Sequence, residues 1–211
     1  FPGQPGSSIG NKLCKDADVI LTMGFTFYDE ATSSYKDGVT FNIPPTKLMQ
    51  VDIDPNEVGK NYPVDVGIIG DAKSVIIDIL NTLSKLSTKR DYENNSYFKE
   101  IQQLRKEWEQ ELEMRSQSSP LSMGRFFKEL RNVLEDDALL YTDAGWPQTI
   151  SGQFFETNRP RTYITAGGMS TMGFALPGSL GGKLAFPNKQ VVSAQGDGSF
   201  LMMGEELATA V

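Results

Sequence analysis

Gln190-Val191-Val192-Ser193-Ala194-Gln195-Gly196-Asp197-Gly198-Ser199-Phe200 is the stretch on which the fold turns. A short run of small and β-branched residues, closed by a Gly-Asp-Gly-Ser turn, is the pattern of a buried parallel strand. Phe200-Leu201-Met202-Met203-Gly204-Glu205-Glu206-Leu207 then opens a helix. Strand, glycine turn and helix together make the unit of a parallel α/β sheet. The same unit recurs upstream. Residues 138–142 form a strand ending in Asp143-Ala144-Gly145, and residues 161–165 one ending in Ala166-Gly167-Gly168. Residues 177–186 have the composition of a buried helix. Ser122 caps another, with Met123, Phe126, Phe127, Leu130, Val133 and Leu134 on one face.

Working back from there, residues 87–119 turn charged and polar. Phe98, Ile101, Leu104, Trp108 and Leu112 keep a helical stripe, so this is an amphipathic connecting helix, with 116–120 as the linker. Before it, residues 17–24, 47–55 and 66–71 are three more short apolar runs, closed by Gly24, Pro55 and Asp71. Val75, Ile76, Ile79, Leu80, Leu83 and Leu86 follow at helical spacing, with Asp71 as N-cap. The expected fold class is α/β: two doubly wound parallel-sheet units joined by a helical linker. The boundaries fall at 1–90, 91–120 and 121–211. Three strands in each unit read as part of a larger sheet, so both units are expected to be incomplete.

Composition narrows the function. A net charge of −7 without a basic run argues against a nucleic-acid partner. No apolar run is long enough to span a bilayer. Phe1-Pro2-Gly3-Gln4-Pro5-Gly6 has neither the basic start nor the apolar stretch of a signal peptide, and reads as the interior of a longer chain. The single cysteine, Cys14, excludes an internal disulfide and suits a reducing, cytoplasmic setting. The absence of histidine removes His-based triads and His zinc sites.

Chemistry then concentrates at the strand ends. In a doubly wound sheet the ligand lies beyond the carboxyl ends of the strands. Glycines there let backbone N–H groups approach phosphate oxygens, and a helix N-terminus favours the anion. Asp197 reads either as a hard ligand for Mg²⁺ bridging two phosphates or as an ordinary turn aspartate. Met172 reads either as core filling or as a functional apolar side chain, and Trp146 either as a packing aromatic or as part of a ligand-binding turn.

The order of segments adds more. Thr165-Ala166-Gly167-Gly168-Met169-Ser170-Thr171-Met172-Gly173-Phe174-Ala175-Leu176-Pro177-Gly178, followed by residues 191–200, closely resembles the thiamine diphosphate (ThDP) enzymes of the acetolactate synthase large-subunit type. Val51-Asp52-Ile53-Asp54-Pro55, Val58-Gly59-Lys60-Asn61 and residues 64–73 are similar to that family's middle domain. The resemblance implies that 1–90 is the later part of the middle domain and 121–211 the first part of the ThDP domain.

It further implies that Asp197 ligates Mg²⁺, and that the turn Gly196, Gly198 and Ser199 holds the diphosphate through backbone N–H groups. Ala144, Gly145 and Trp146 contact the same phosphates. Met172 wedges between the cofactor rings, and the carbonyl of Ser170 accepts from its pyrimidine amine. The family commonly carries Gln-His where this chain has Trp146-Pro147, and often Gly at position 170.

The implied reaction decarboxylates a 2-oxo acid such as pyruvate and transfers the resulting aldehyde unit to an acceptor. Oxalyl-CoA decarboxylase-like and glyoxylate carboligase-like lyases are the family's other options; a non-catalytic nucleotide-binding or regulatory module on the same fold is the alternative outside it. The parent is implied to be a homodimer or homotetramer. The activating Glu and the Asn completing the metal motif are expected outside these 211 residues, which alone are expected to be inactive. FAD is the middle domain's implied ligand, but Thr26 and Glu30 stand where arginines are usual. Asp52 or Asp54 reads either as a ribose ligand or as a cap on local backbone.

Overall fold

The structure, a computed structural model, describes residues 2–4, 6–86, 91–117 and 119–211. The chain divides into two units, Phe1–Trp108 and Glu109–Val211. The division falls inside the connecting helix. The boundary expected at residue 90 lies outside the described residues.

The first unit opens with α1 (Ser8–Lys15), which the sequence reading did not foresee. Its cap is Ser7, whose hydroxyl accepts from Gly10 N–H. β1 (Val19–Met23), β2 (Lys47–Asp52) and β3 (Val66–Ile69) form a parallel sheet in the order β1-β2-β3. Val19 lies opposite Lys47, and Met49 opposite Val66. Phe27, Phe41, Ile43 and Leu48 make its buried core, joined by Cys14 and Tyr62. Burial raises the Cys14 thiol pKa, so Cys14 behaves as a small apolar residue.

α2 (Ala72–Leu86) starts as expected. The Asp71 carboxylate accepts from Ser74 N–H, which holds its pKa below the usual range. The apolar stripe is narrower than expected, however. Val75 and Ile79 are half-buried, whereas Ile76, Leu80, Leu83 and Leu86 are exposed. α3 (Ser96–Ser116) carries the five stripe residues, and all five are half-buried.

The second unit begins with α4 (Met123–Val133), where Ser122 Oγ accepts from Arg125 N–H. Here the expected face is split: Phe127 is buried, but Met123, Phe126 and Val133 are exposed. Side chains 100° apart around a helix cannot all reach one sheet, and Phe126 and Phe127 are neighbours in sequence. β4 (Leu139–Thr142) is fully buried. α5 (Trp146–Phe154), β5 (Tyr163–Thr165), α6 (Ala175–Ala185), β6 (Val191–Ala194) and α7 (Asp197–Met203) complete the unit, with a 3₁₀ segment at Gly204–Ala208. α6 is only partly buried, with Leu184 exposed.

The sheet order is β5-β4-β6, all parallel. One face of β4 presents Leu140 to Phe127, Phe155 and Ile150 of the α4–α5 layer. The other presents Leu139 and Tyr141 to Ala175 and Phe174 at the start of α6. Helices therefore cover both faces, as a doubly wound sheet requires. Phe127→Ala empties the centre of the first layer and is expected to cost about 3–5 kcal/mol. Urea unfolding checks this; an unchanged midpoint would mean the α4 layer does not stabilise the sheet. No helix among the described residues is long and apolar enough to cross a membrane.

Candidate functional site

The chain leaves β4 into α5 on one face of the sheet, and leaves β6 into α7 on the face of α6. α7 is fixed there by Met203, whose Cγ would lie 2.8 Å from a Cβ added at Gly173. β4 and β6 are adjacent. Their following helices depart to opposite sides, so a crevice opens between the two turns beyond their carboxyl ends. This is the topological switch point, where ligands settle in such sheets.

Three turns line it. The first is Asp143-Ala144-Gly145-Trp146. Gly145 has φ 92 and ψ −149, a region only glycine adopts without strain, and it is the N-cap of α5. Trp146 is 70% exposed at the start of α5, beside Met123 and Phe154. α5 was missed in the sequence, although Gly145 followed by Pro147 in the first turn is a legible start signal.

The second turn runs from Ala166 to Phe174. Ser170 is exposed with φ 49, and its hydroxyl donates to Gln148 Oε1 at 3.2 Å. Met172 is half exposed. Gly173, at φ 83, allows the reversal into α6.

The third turn is Gly196-Asp197-Gly198-Ser199. The helix begins at Asp197, three residues before the expected start at Phe200. The N–H groups of Asp197, Gly198 and Ser199 therefore lie in the first turn and have no intrahelical acceptor. Phe200 N–H is the first to bond, to Gly196 C=O. Asp197 is exposed, and its carboxylate has no ion-pair partner among the described residues.

The structure brings two of these turns into contact. A Cβ added at Gly198 would sit 3.1 Å from Met172 Cε, so the glycine gives the end of the Met172 side chain room beside the α7 turn. A third group, passed over in the sequence, ties all three. Asp143 is fully buried, and Oδ1 accepts from Gly173 N–H (3.0 Å), Ala144 N–H (2.9 Å) and Ser199 Oγ (2.9 Å). Its Oδ2 accepts from Ala175 N–H (2.8 Å).

These residues fit a diphosphate held with a divalent ion. None of the three turns carries Lys or Arg, so an anion there relies on free N–H groups, a helix dipole and a metal. Mg²⁺ asks for one or two carboxylates and completes its octahedron with phosphate oxygens and water. Asp197 is the exposed carboxylate in these turns that could supply one. Nothing lies within 4 Å of a Cβ added at Gly145 or Gly196, which leaves backbone open to approach.

At the carboxyl end of the first sheet, the loop after β1 is held by side-chain hydrogen bonds. Gln50 and Asn61 side-chain amides donate to the carbonyls of Phe25, Thr26 and Phe27 and lock that loop. Its rim carries Asp29, Glu30, Asp54 and Glu57, and Lys60 is paired with Glu57. Asp52 accepts from Asp54 N–H, and Asp54 from Asn56, so both carboxylates cap local backbone.

Comparison with known proteins agrees with the geometry. Residues 143–211 match the thiamine pyrophosphate enzyme C-terminal TPP-binding domain, and residues 1–80 match the thiamine pyrophosphate enzyme central domain. The chain is 34% identical, over 98% of its length, to the probable acetolactate synthase large subunit of Methanocaldococcus jannaschii, covering 34% of that protein. It is 31% identical over 99% of its length to acetolactate synthase of Mycobacterium leprae (33% of that protein) and to acetolactate synthase isozyme 3 large subunit of Escherichia coli (36%). The chain thus spans about a third of the length of the curated relatives it matches.

Proposed function

Since the chain belongs to the thiamine pyrophosphate enzyme family, we propose that it contributes the diphosphate and metal end of a ThDP site in an acetolactate synthase-like carboligase. The observation that carries this reading is the approach of the Met172 side chain to Gly198, in the turn that opens α7. A plain phosphate site has no use for an apolar side chain half exposed above it.

In this reading Asp197 binds Mg²⁺, and Gly198 and Ser199 donate N–H to the diphosphate, with the turn Ala144-Gly145-Trp146 facing it from β4. Bound there, ThDP would supply the carbanion-stabilising chemistry for decarboxylating a 2-oxo acid such as pyruvate and transferring its aldehyde unit. Met172 would pack against the cofactor and set the orientation of its rings. The carbonyl of Ser170 would accept a hydrogen bond from its pyrimidine amine. The turns have no charged side chain other than Asp143 and Asp197, so proton transfers rest on the cofactor and on groups beyond these turns. Assembly as a homodimer or homotetramer is part of the same proposal.

The test uses the complete protein with Mg²⁺, ThDP and labelled pyruvate, followed by carbon NMR. Release of CO₂ with formation of a 2-hydroxy-2-methyl-3-oxo acid supports the proposal. Tight cofactor binding with no turnover of pyruvate, glyoxylate or another 2-oxo acid would instead favour a non-catalytic module.

A further inference from the structure

Asp143 is the only buried carboxylate among the described residues of the second unit, and no ion pair offsets it. Burying such a charge is costly unless hydrogen bonds replace its water. Four donors do so here, and their origin matters more than their number. Ala144 N–H belongs to the α5 turn. Gly173 N–H is the far half of the peptide unit that begins at Met172 C=O, so holding it fixes the plane from which Met172 projects. Ala175 N–H opens α6. Ser199 reaches Asp143 with its hydroxyl and so keeps its N–H for a ligand. One carboxylate thus joins all three turns around the crevice to the start of α6.

We propose that Asp143 is a positioning residue that holds the Met172 turn and the α7 turn in register, so that wedge and diphosphate cradle form one site. The proposal rests on the ThDP reading of that site and deepens it. Both carboxylate oxygens of Asp143 are taken up by protein donors.

Asp143→Asn is the informative change, because it keeps the shape and alters only the donor pattern. A carboxylate can accept from all four groups, whereas a carboxamide must turn one NH₂ toward them. If the NH₂ replaces Oδ1, it faces the N–H groups of Gly173 and Ala144; if it replaces Oδ2, it faces that of Ala175. The Ser199 hydroxyl can reverse, but the backbone amides cannot.

In the complete protein, calorimetry with saturating Mg²⁺ is expected to show ThDP binding weakened roughly thirtyfold in Asp143→Asn, the scale of lost outer-sphere support. Without any cofactor, hydrogen exchange should accelerate in residues 171–176 and 197–203 together. Leu140→Val, which loosens the opposite face of the same strand, should bind ThDP as the wild type does. Ser199→Ala should weaken binding roughly fivefold alone, and add nothing in the Asp143→Asn background, as coupled sites do.

Wild-type affinity in Asp143→Asn, or exchange altered at 143–145 only, overturns the positioning role while the cofactor reading stands. If the wild type itself takes up no ThDP with Mg²⁺, the cofactor reading fails and this proposal with it. Should Asp143→Asn not accumulate folded, Ser199→Ala decides, and an unchanged dissociation constant there overturns the proposal.

Discussion

Asp197→Ala is expected to weaken Mg²⁺-dependent ThDP binding by about a hundredfold or more in the complete protein. A hundredfold is about 2.8 kcal/mol, the scale of losing one charged partner from a partly desolvated ion. The side chain is exposed at the first residue of α7 and makes no ion pair among the described residues. Its removal therefore leaves the surrounding fold intact, and thermal unfolding without cofactor should be unchanged. Asp197→Asn keeps one hard oxygen and should fall between wild type and alanine. Titration calorimetry at several Mg²⁺ concentrations reads the effect. Equal affinity in wild type and Asp197→Ala would remove the metal from this turn.

Met172→Ala is expected to behave differently. Its side chain lies over Gly198 but offers the phosphates nothing, so ThDP affinity should change only a few-fold. Turnover, by contrast, should drop about a hundredfold, the scale of a misplacement near 1 Å between reacting groups. Met172→Leu, similar in volume, should recover most of it. Steady-state kinetics beside calorimetry separate the two quantities. A Met172→Ala variant that keeps its kcat would reduce this residue to packing.

The strands were legible because a buried parallel strand is a local signal: a short apolar run closed by Gly, Pro or Asp. Asp71 and Ser122 were legible as caps for the same reason, each acting on an amide three residues on. The faces of α2 and α4 were less so. Hydrophobicity marked Ile76, Leu80, Met123 and Phe126 as candidates for burial, but which of several apolar residues meets the sheet depends on packing direction.

The candidate site divides along the same line. Gly196, Asp197, Gly198 and Ser199 are adjacent in sequence and could be read as one turn. That Met172 leans on Gly198 is a contact between segments, and no local pattern carries it. Asp143 is the clearest case. Its partners Gly173, Ala175 and Ser199 lie 30, 32 and 56 residues away. One hint is local, namely an aspartate directly after the short run Ala138-Leu139-Leu140-Tyr141-Thr142, where an unpaired charge would be costly.

The placement of Trp146 has an optical consequence. The chain has two tryptophans, and the other, Trp108, lies half-buried in α3. With Trp108 replaced by phenylalanine, emission from this chain comes from a single, largely exposed indole at the start of α5, beside Met123, Gly124, Ile150 and Phe154. A molecule settling against that face of α4 and α5 strips solvent from the ring and moves its fluorescence toward the blue. Occupancy of that face thus becomes visible in a cuvette, without a label.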